Sequence, residues 1–339
     1  MNEFITLAHG AGGKQTSELI GGLFKKYFAN KNLTADDAAV VDFPVNQNES
    51  AKLVMTTDGF IVSPQEFSGG NIGKLSICGT VNDLACMGAK PLYLTCAFVI
   101  EEGFSVSKLE EIVKAMGKTA EEAGVQIIAG DTKVAGKGQV DGIFITTTGV
   151  GQRLNGVATG GALAKDGDVV IVTGDIGRHG CCILLARNEF GIDADVKSDC
   201  APLSNSVLAL LDATKDVHVI RDATRGGVGT VLYEIAEQSN VSIHLDQDKV
   251  PVSSEVKGVC GMLGLEPLYL ACEGRLVIFA PESQADAILN SLKKQKYTEG
   301  ACIIGKVSSD NPGRVIVETE IGSKTMLPPP GGELLPRIC

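Results

Sequence analysis

The sequence has no CxxC pair, no zinc-finger spacing and no Walker-type GxxxxGK[ST] stretch, which argues against a dithiol redox centre, a small zinc module and a P-loop. No run approaches the roughly 20 apolar residues needed to span a bilayer, and the start, MNEFITLAHGAGGKQ, lacks a basic segment followed by an apolar one. The expectation is a cytoplasmic protein without a membrane span. Basic charge is also scarce, with 30 Lys and Arg against 41 Asp and Glu and a net charge of −11. A nucleic-acid surface needs clustered cations to neutralise phosphates, so none is expected, and any anionic ligand has to be held locally. Collagen-like bias, coiled-coil bias and internal repeats are absent as well.

What is present fits a soluble globular enzyme. The 339 residues are more than twice a typical domain, and 44% are hydrophobic against 21% charged. Two domains are expected, 1–152 and 153–326, followed by a tail at 327–339, with the Gly-rich GQRLNGVATGGALAKDGD as the join. In the first half KLVMTTDGFIV, LYLTCAFVI, VQIIAGDT and GIFITTTGVG have the β-branched content of strands, and 71–87 and 105–123 carry apolar residues at helical spacing, the second opening on a Ser cap. In the second half DVVIVTG, VHVIRDAT, VSIHL, LYLACEGRLVIFA, CIIGKVSS and GRVIVET alternate with helices expected at 177–189, 203–213, 226–239 and 283–294. Of the ten cysteines, the nine at 78, 86, 96, 181, 182, 200, 260, 272 and 302 are expected as small buried hydrophobes. Cys339 is the last residue of a Pro/Gly-rich segment, PPPGGELLPRIC, that cannot be core.

Asp residues recur at the ends of apolar stretches: Asp36 and Asp37 in ADDAAV, Asp58 in TTDGF, Asp83 in VNDLACMGA and Asp131 in AGDTKV. Any one of them suits a turn or a cap, but together they suit a hard-oxygen site for Mg²⁺ carrying a nucleotide triphosphate. HGAGGK offers Gly12, Gly13 and Lys14 to phosphates. IRDATRGGVG is either an ordinary strand-to-helix turn or an anion site with Asp222 at the strand end and Arg225 at the helix start. YLACEGRLVIF sets Glu273 and Arg275 within a long apolar strand, where charges need partners or a function. Lys133, two residues past Asp131, is either a surface Lys or a charge stabiliser, whereas His9 and His179 have no carboxylate at a recognisable spacing.

GAGGK, DDAA, TTDGF, GNIGKLSICGTVNDLACMGAKP, AGDTKV, RDATRGG and ACEGR, in this order and ending in PRIC, resemble the HypE family of hydrogenase maturation proteins across nearly the whole chain. That family sits in an ATP-binding superfamily with aminoimidazole ribonucleotide synthetase and selenophosphate synthetase. The resemblance implies an α+β N-terminal domain whose half-barrel sheet dimerises, an α/β C-terminal domain and a flexible tail. It also implies that a carbamoyltransferase, HypF, loads Cys339 as an S-carboxamide, which ATP-dependent dehydration through an isourea phosphate turns into a thiocyanate. The cyano group then passes to iron on a HypC–HypD scaffold for [NiFe]-hydrogenase. Carried over by motif, Asp37, Asp58, Asp83 and Asp131 hold Mg-ATP, Asp222 is a further ligand, and Gly12, Gly13 and Lys14 approach the phosphates. Glu273 is the candidate base and Lys133 the candidate stabiliser of the attacking oxygen.

The tail has a physical logic beside this. Twelve residues from Pro328 to Cys339 in polyproline form span roughly 37 Å, with Gly331-Gly332 as a hinge. One alternative is a superfamily enzyme phosphorylating a free small molecule, which has no need of a terminal Cys. Another is a non-catalytic thiol carrier or scaffold whose Asp residues are turns.

Overall fold

The computed structural model describes residues 14–19, 39–46, 49–319 and 321–331. Gly12, Gly13, Asp37 and Cys339, with His9, Asp36 and most of the tail, lie outside the described residues.

The first half is a five-stranded sheet built from β1 (Ala39–Asn46), β2 (Glu49–Phe60), β5 (Ala89–Glu101), β6 (Gln126–Ala135) and β7 (Ile143–Arg153), in the order β1-β2-β7-β5-β6. Only the β5–β6 pair is parallel, because α3 (Val106–Ala123) provides the crossover between them. Between β2 and β5 two short strands, β3 (Glu66–Phe67) and β4 (Gly70–Asn71), lead into α2 (Ile72–Cys86), whose first turn is capped by the Asn71 side chain accepting from the Lys74 N–H. In α2 every residue except Lys74 and Asp83 is buried. Two of its glycines make that possible: a β-carbon on Gly73 would lie 2.3 Å from the Ile112 carbonyl of α3, and one on Gly79 2.8 Å from the Phe60 ring. Ser105, expected as the cap of α3, bonds Ser107 instead and makes no cap hydrogen bond.

The second half is a seven-stranded sheet in the order β14-β13-β10-β12-β8-β11-β9, formed by β8 (Asp168–Val172), β9 (Val219–Asp222), β10 (Ser242–Asp246), β11 (Leu276–Pro281), β12 (Cys302–Ser308), β13 (Arg314–Glu318) and β14 (Lys324–Met326). Central β8 is buried along its whole length and β11 up to Ala280, as a sheet covered on both faces requires. Val170, Val172, Val277 and Phe279 face α6 (Gly227–Gln238) on one side; Val169, Ile171, Leu276 and Ile278 face α5 (Ser204–Ala213) and α8 (Ala285–Leu292) on the other. A third pair, α4 (Arg178–Arg187) and α7 (Ser254–Leu263), joins the core that contains α2. Residues 268–280 depart from expectation. The segment is a 3-10 turn (Pro267–Tyr269) and a loop before β11, so Glu273 and Arg275 precede the strand instead of interrupting it.

The two sheets meet at α2. The Asn82 amide donates to the Ala201 carbonyl at 3.1 Å, and its oxygen accepts the Leu203 N–H at 2.7 Å. Asn82→Ala strips both buried partners at this seam and is expected to cost about 2–3 kcal/mol in a urea unfolding curve. Wild-type stability in that variant would show the seam to be held by apolar packing alone.

Candidate active site

A cavity of about 350 Å³ opens where β2 and α2 of the first sheet face β9, α6 and the loop before β11 of the second. Its walls carry Thr56, Asp58, Asp83, Asp222, Arg225 and Glu273. Asp83 is the one carboxylate of the buried α2 helix, and it accepts a hydrogen bond from the Thr56 hydroxyl at 2.8 Å. Asp58 comes from β2, where its side chain accepts the Gly59 N–H at 2.8 Å. Asp222 is the buried last residue of β9. After it, Gly226 and Gly227 take φ of +77° and +61° to turn the chain into α6, and a β-carbon on Gly227 would lie 2.5 Å from the Leu270 carbonyl. That turn brings the α6 N-terminus and Arg225 to the cavity.

Glu273 faces the cavity from a loop held by ionic and backbone bonds. Asp199 accepts the N–H groups of Glu273 and Gly274 at 3.3 and 3.1 Å. Arg275 turns away, donating to the Asp175 carboxylate and carbonyl, both at 2.8 Å, so its charge secures the loop. Burial pushes the Glu273 carboxyl well above its ordinary range, and the neighbouring Cys200, Asp222, Asp199 and Asp58 push the same way. Burial likewise raises Asp58; Asp222 adds to the rise, while Arg225 and the Gly59 N–H oppose it.

Asp131 and Lys133 are not brought to this cavity within one chain. They lie on β6, pair with each other at 2.8 Å and are exposed, and the Lys133 ammonium and Thr132 N–H hold Asp131 below the usual carboxylate range. The register explains the separation. Asp131 aligns with Ala97 of β5, which aligns with Thr146 of β7 and then Gly59 of β2, three strand spacings or about 14 Å. Lys14 opens the six-residue α1 (Lys14–Leu19), exposed and 3.9 Å from Glu18, and Ser17 of that helix borders the cavity.

Several wall residues carried no usable sequence signal. His179 is fully buried and its Nδ1 pairs with the Ser198 hydroxyl at 2.8 Å. Burial depresses its pKa to about 3, so the ring is neutral. Its Nε2 and the buried Thr230 hydroxyl have no hydrogen-bond partner among the described residues, although both residues border the cavity. Arg221 pairs with Glu234 at 3.0 Å along the same wall.

No three His, Cys, Asp or Glu side chains converge tightly enough to hold a metal ion among the described residues. The donor set nonetheless fits a hard cation that takes most of its oxygens from phosphate and water, since Asp58, Asp83 and Asp222 present carboxylates to one cavity and Mg²⁺ needs only one or two of them. The described cysteines offer no nucleophile: eight are buried and Cys302 half-buried, and burial lifts the Cys96 and Cys260 thiols to about 11 and Cys181 to about 12.

Residues 35–153 match the N-terminal domain, and 165–318 the C-terminal domain, of the AIR synthase related proteins. The chain is 42% identical over 338 residues to carbamoyl dehydratase HypE of Rhodobacter capsulatus, covering 100% of this chain and 99% of that one. It is 43% identical to a crystal structure of hydrogenase maturation protein HypE in complex with ATP, with a TM-score of 0.82 and coverage of 98% and 100%. A HypE–HypF complex gives 42% identity and a TM-score of 0.86 over 92% of this chain and 99% of that one.

The raised Glu273 carboxyl has a testable consequence. The unfolded chain gives up this proton at about pH 4, the folded chain at higher pH. The group's contribution to stability is therefore complete below about pH 4 and is lost as pH rises toward the folded value. Glu273→Gln keeps the neutral shape and is expected to raise the urea midpoint above that of the parent at pH 8 and to match it at pH 4. An unchanged midpoint at pH 8 would mean that the folded chain compensates the ionised carboxylate.

Proposed function

The chain belongs to the HypE carbamoyl dehydratase family of AIR synthase related proteins, and on that premise we propose that it dehydrates an S-carboxamide on its own Cys339 to a thiocyanate at the expense of ATP. The balance is R–S–C(=O)NH₂ + ATP → R–S–C≡N + ADP + phosphate: the amide gives up its oxygen and two protons, and a C≡N bond replaces C=O and C–N. ATP, assisted by Mg²⁺, supplies the phosphoryl group that makes the amide oxygen a leaving group. The observation that carries the proposal is the wall of the cavity, which Glu273 shares with Asp58, Asp83, Asp222 and Arg225. Asp58, Asp83 and Asp222 would hold the cation and Arg225 the phosphates. Glu273 would take the amide protons, since a carboxyl lifted by burial and by like charges is a stronger base than an ordinary one. Arg275, fixed on Asp175, would keep that base in place.

The same proposal assigns a carbamoyltransferase of the HypF kind as the source of the carboxamide, a HypC–HypD scaffold as the acceptor of the cyano group for hydrogenase iron, and the cytoplasm as the location. No helix among the described residues is long and apolar enough to cross a membrane.

A homodimer is part of the proposal. β6 is the edge strand of the first sheet and is exposed along nearly all its length, with Ile127, Ile128 and Val134 at 41%, 59% and 70% exposure. Such an edge invites pairing with a second copy. A second sheet docked there would give Asp131 and Lys133 a route to the other copy's cavity, which they lack within one chain. Ile128→Lys is expected to sediment as a monomer and to lose activity at least tenfold. A monomeric parent with full turnover would remove the dimer from the proposal.

Mass spectrometry of the C-terminal peptide after incubation with the carbamoyltransferase, carbamoyl phosphate and ATP tests the reaction. The expected result is an ATP-dependent loss of one water mass from carbamoylated Cys339, slowed roughly 10²- to 10⁴-fold in Glu273→Gln. Retention of the intact carboxamide by the parent chain would overturn the dehydratase assignment.

A further inference from the structure

The last described residues make a contact that none of this chemistry uses. After β14, Leu327 is 4% exposed, sealed into the apolar layer between the second sheet and α6, and its N–H donates to the Val315 carbonyl at 2.9 Å. The Leu327 carbonyl accepts a hydrogen bond from the Tyr233 hydroxyl, and the next carbonyl, that of Pro328, accepts one from the Tyr269 hydroxyl. Tyr233 lies on α6 one turn beyond Thr230 and beside Glu234, both of which border the cavity. Tyr269 ends the turn four residues before Glu273, and its ring packs so tightly on α6 that a β-carbon on Gly229 would lie 2.6 Å from it. The root of the tail is therefore tied to two elements that build the cavity.

Proline chemistry explains why the tie takes this form. Pro328, Pro329 and Pro330 have no N–H, so the ladder of β14 cannot continue through them, and carbonyl oxygens are the backbone handles left. Their fixed φ also makes them a rod of roughly 9 Å, so holding its first carbonyl sets the direction in which the chain departs.

We propose that Tyr233 and Tyr269 clamp the root of the tail and aim it, acting as positioning residues for the reaction of Cys339; this rests on the dehydratase assignment. Eleven residues follow Pro328. Extended they reach roughly 34 Å, several times the one helical turn between Tyr233 and Thr230 on the cavity wall. Length does not limit access, so the local concentration of the terminal thiol depends on where the rod points. Freeing the rod lets it sweep a larger volume and lowers that concentration about 3- to 10-fold.

The test compares the tail in cis with the same tail in trans. In Tyr233→Phe/Tyr269→Phe, which keeps both rings, the ATP-dependent water loss from carbamoylated Cys339 is expected to slow about 3- to 10-fold. A free carbamoylated GELLPRIC peptide, given to full-length Cys339→Ala with and without the Phe pair, should be turned over no more slowly with the pair than without it. Equal slowing in cis and in trans would show that the tyrosines act on the cavity itself and would overturn the clamp. So would an unchanged cis rate. Amide exchange of Leu327 provides a readout free of activity and should quicken in the double variant. If the parent chain shows no water loss at all, the dehydratase assignment fails, and unchanged Leu327 exchange is then the result that rejects the clamp.

Discussion

The site depends on one helix that is buried on every side. A helix surrounded by protein has to find apolar or hydrogen-bonded neighbours all round, and α2 finds them in the first sheet, in α3 and across the seam in the second half. Within the first half Gly73 and Gly79 let α3 and Phe60 approach to within contact, and across the seam Asn82 completes two backbone bonds of the opposing half. Asp83, which with Lys74 is one of its two residues that are not buried, lies where the packing stops, at the cavity. Its carboxylate stands beside Thr56 because β2 runs along the same face.

Among the described residues the cavity wall carries five carboxyl groups, Asp58, Asp83, Asp222, Glu234 and Glu273, against the guanidinium groups of Arg221 and Arg225. Burial lifts the proton affinity of Asp58, Asp199 and Glu273; Asp222 adds to the rise at Asp58, and Asp222, Asp199 and Asp58 add to it at Glu273. Such an arrangement is costly for a protein with nothing to bind. It is consistent with a site completed by a hard cation and by phosphates, whose charges would let the carboxylates ionise. The His179 Nε2 and Thr230 hydroxyl on the same wall, without a partner among the described residues, are consistent with a ligand that brings its own polar groups. Arg275, by contrast, bonds Asp175 and neighbouring carbonyls and sits beside the Asp199 charge, so its guanidinium holds the Glu273 loop in place.

In the proposed reaction the substrate would be carried on the enzyme's own tail, which would change what the fold must supply. A free substrate is selected by its binding energy, whereas a tethered one is delivered by geometry, through the root, the stiffness and the length of the tether. Here the root is a buried Leu327, the stiff part is three prolines, and the tie falls on tyrosines whose elements also border the cavity. On that proposal, delivery and chemistry would share α6 and the loop before β11.

By itself the sequence determined the mixed α and β architecture and its principal strands and helices, because β-branched runs ended by Gly or Asp and apolar residues at helical spacing report local backbone preference. It also singled out Asp58, Asp83, Asp222, Arg225 and Glu273 through motifs whose glycines permit tight turns beside charge. It gave a weaker account of 268–280, where an apolar run with two charges resembled one strand, and it passed over the helix Ser254–Leu263 although Ser253 caps it. Tertiary structure alone decided which of these residues share a cavity. Strand order put Asp131 and Lys133 three strands from Asp58, folding buried His179 in a wall to which no spacing assigned it, and the tyrosines met the tail across 94 and 59 residues of chain. Local sequence encodes the period of a backbone and the bend of a turn, whereas the meeting of distant side chains depends on how sheets order and stack, which no short stretch contains.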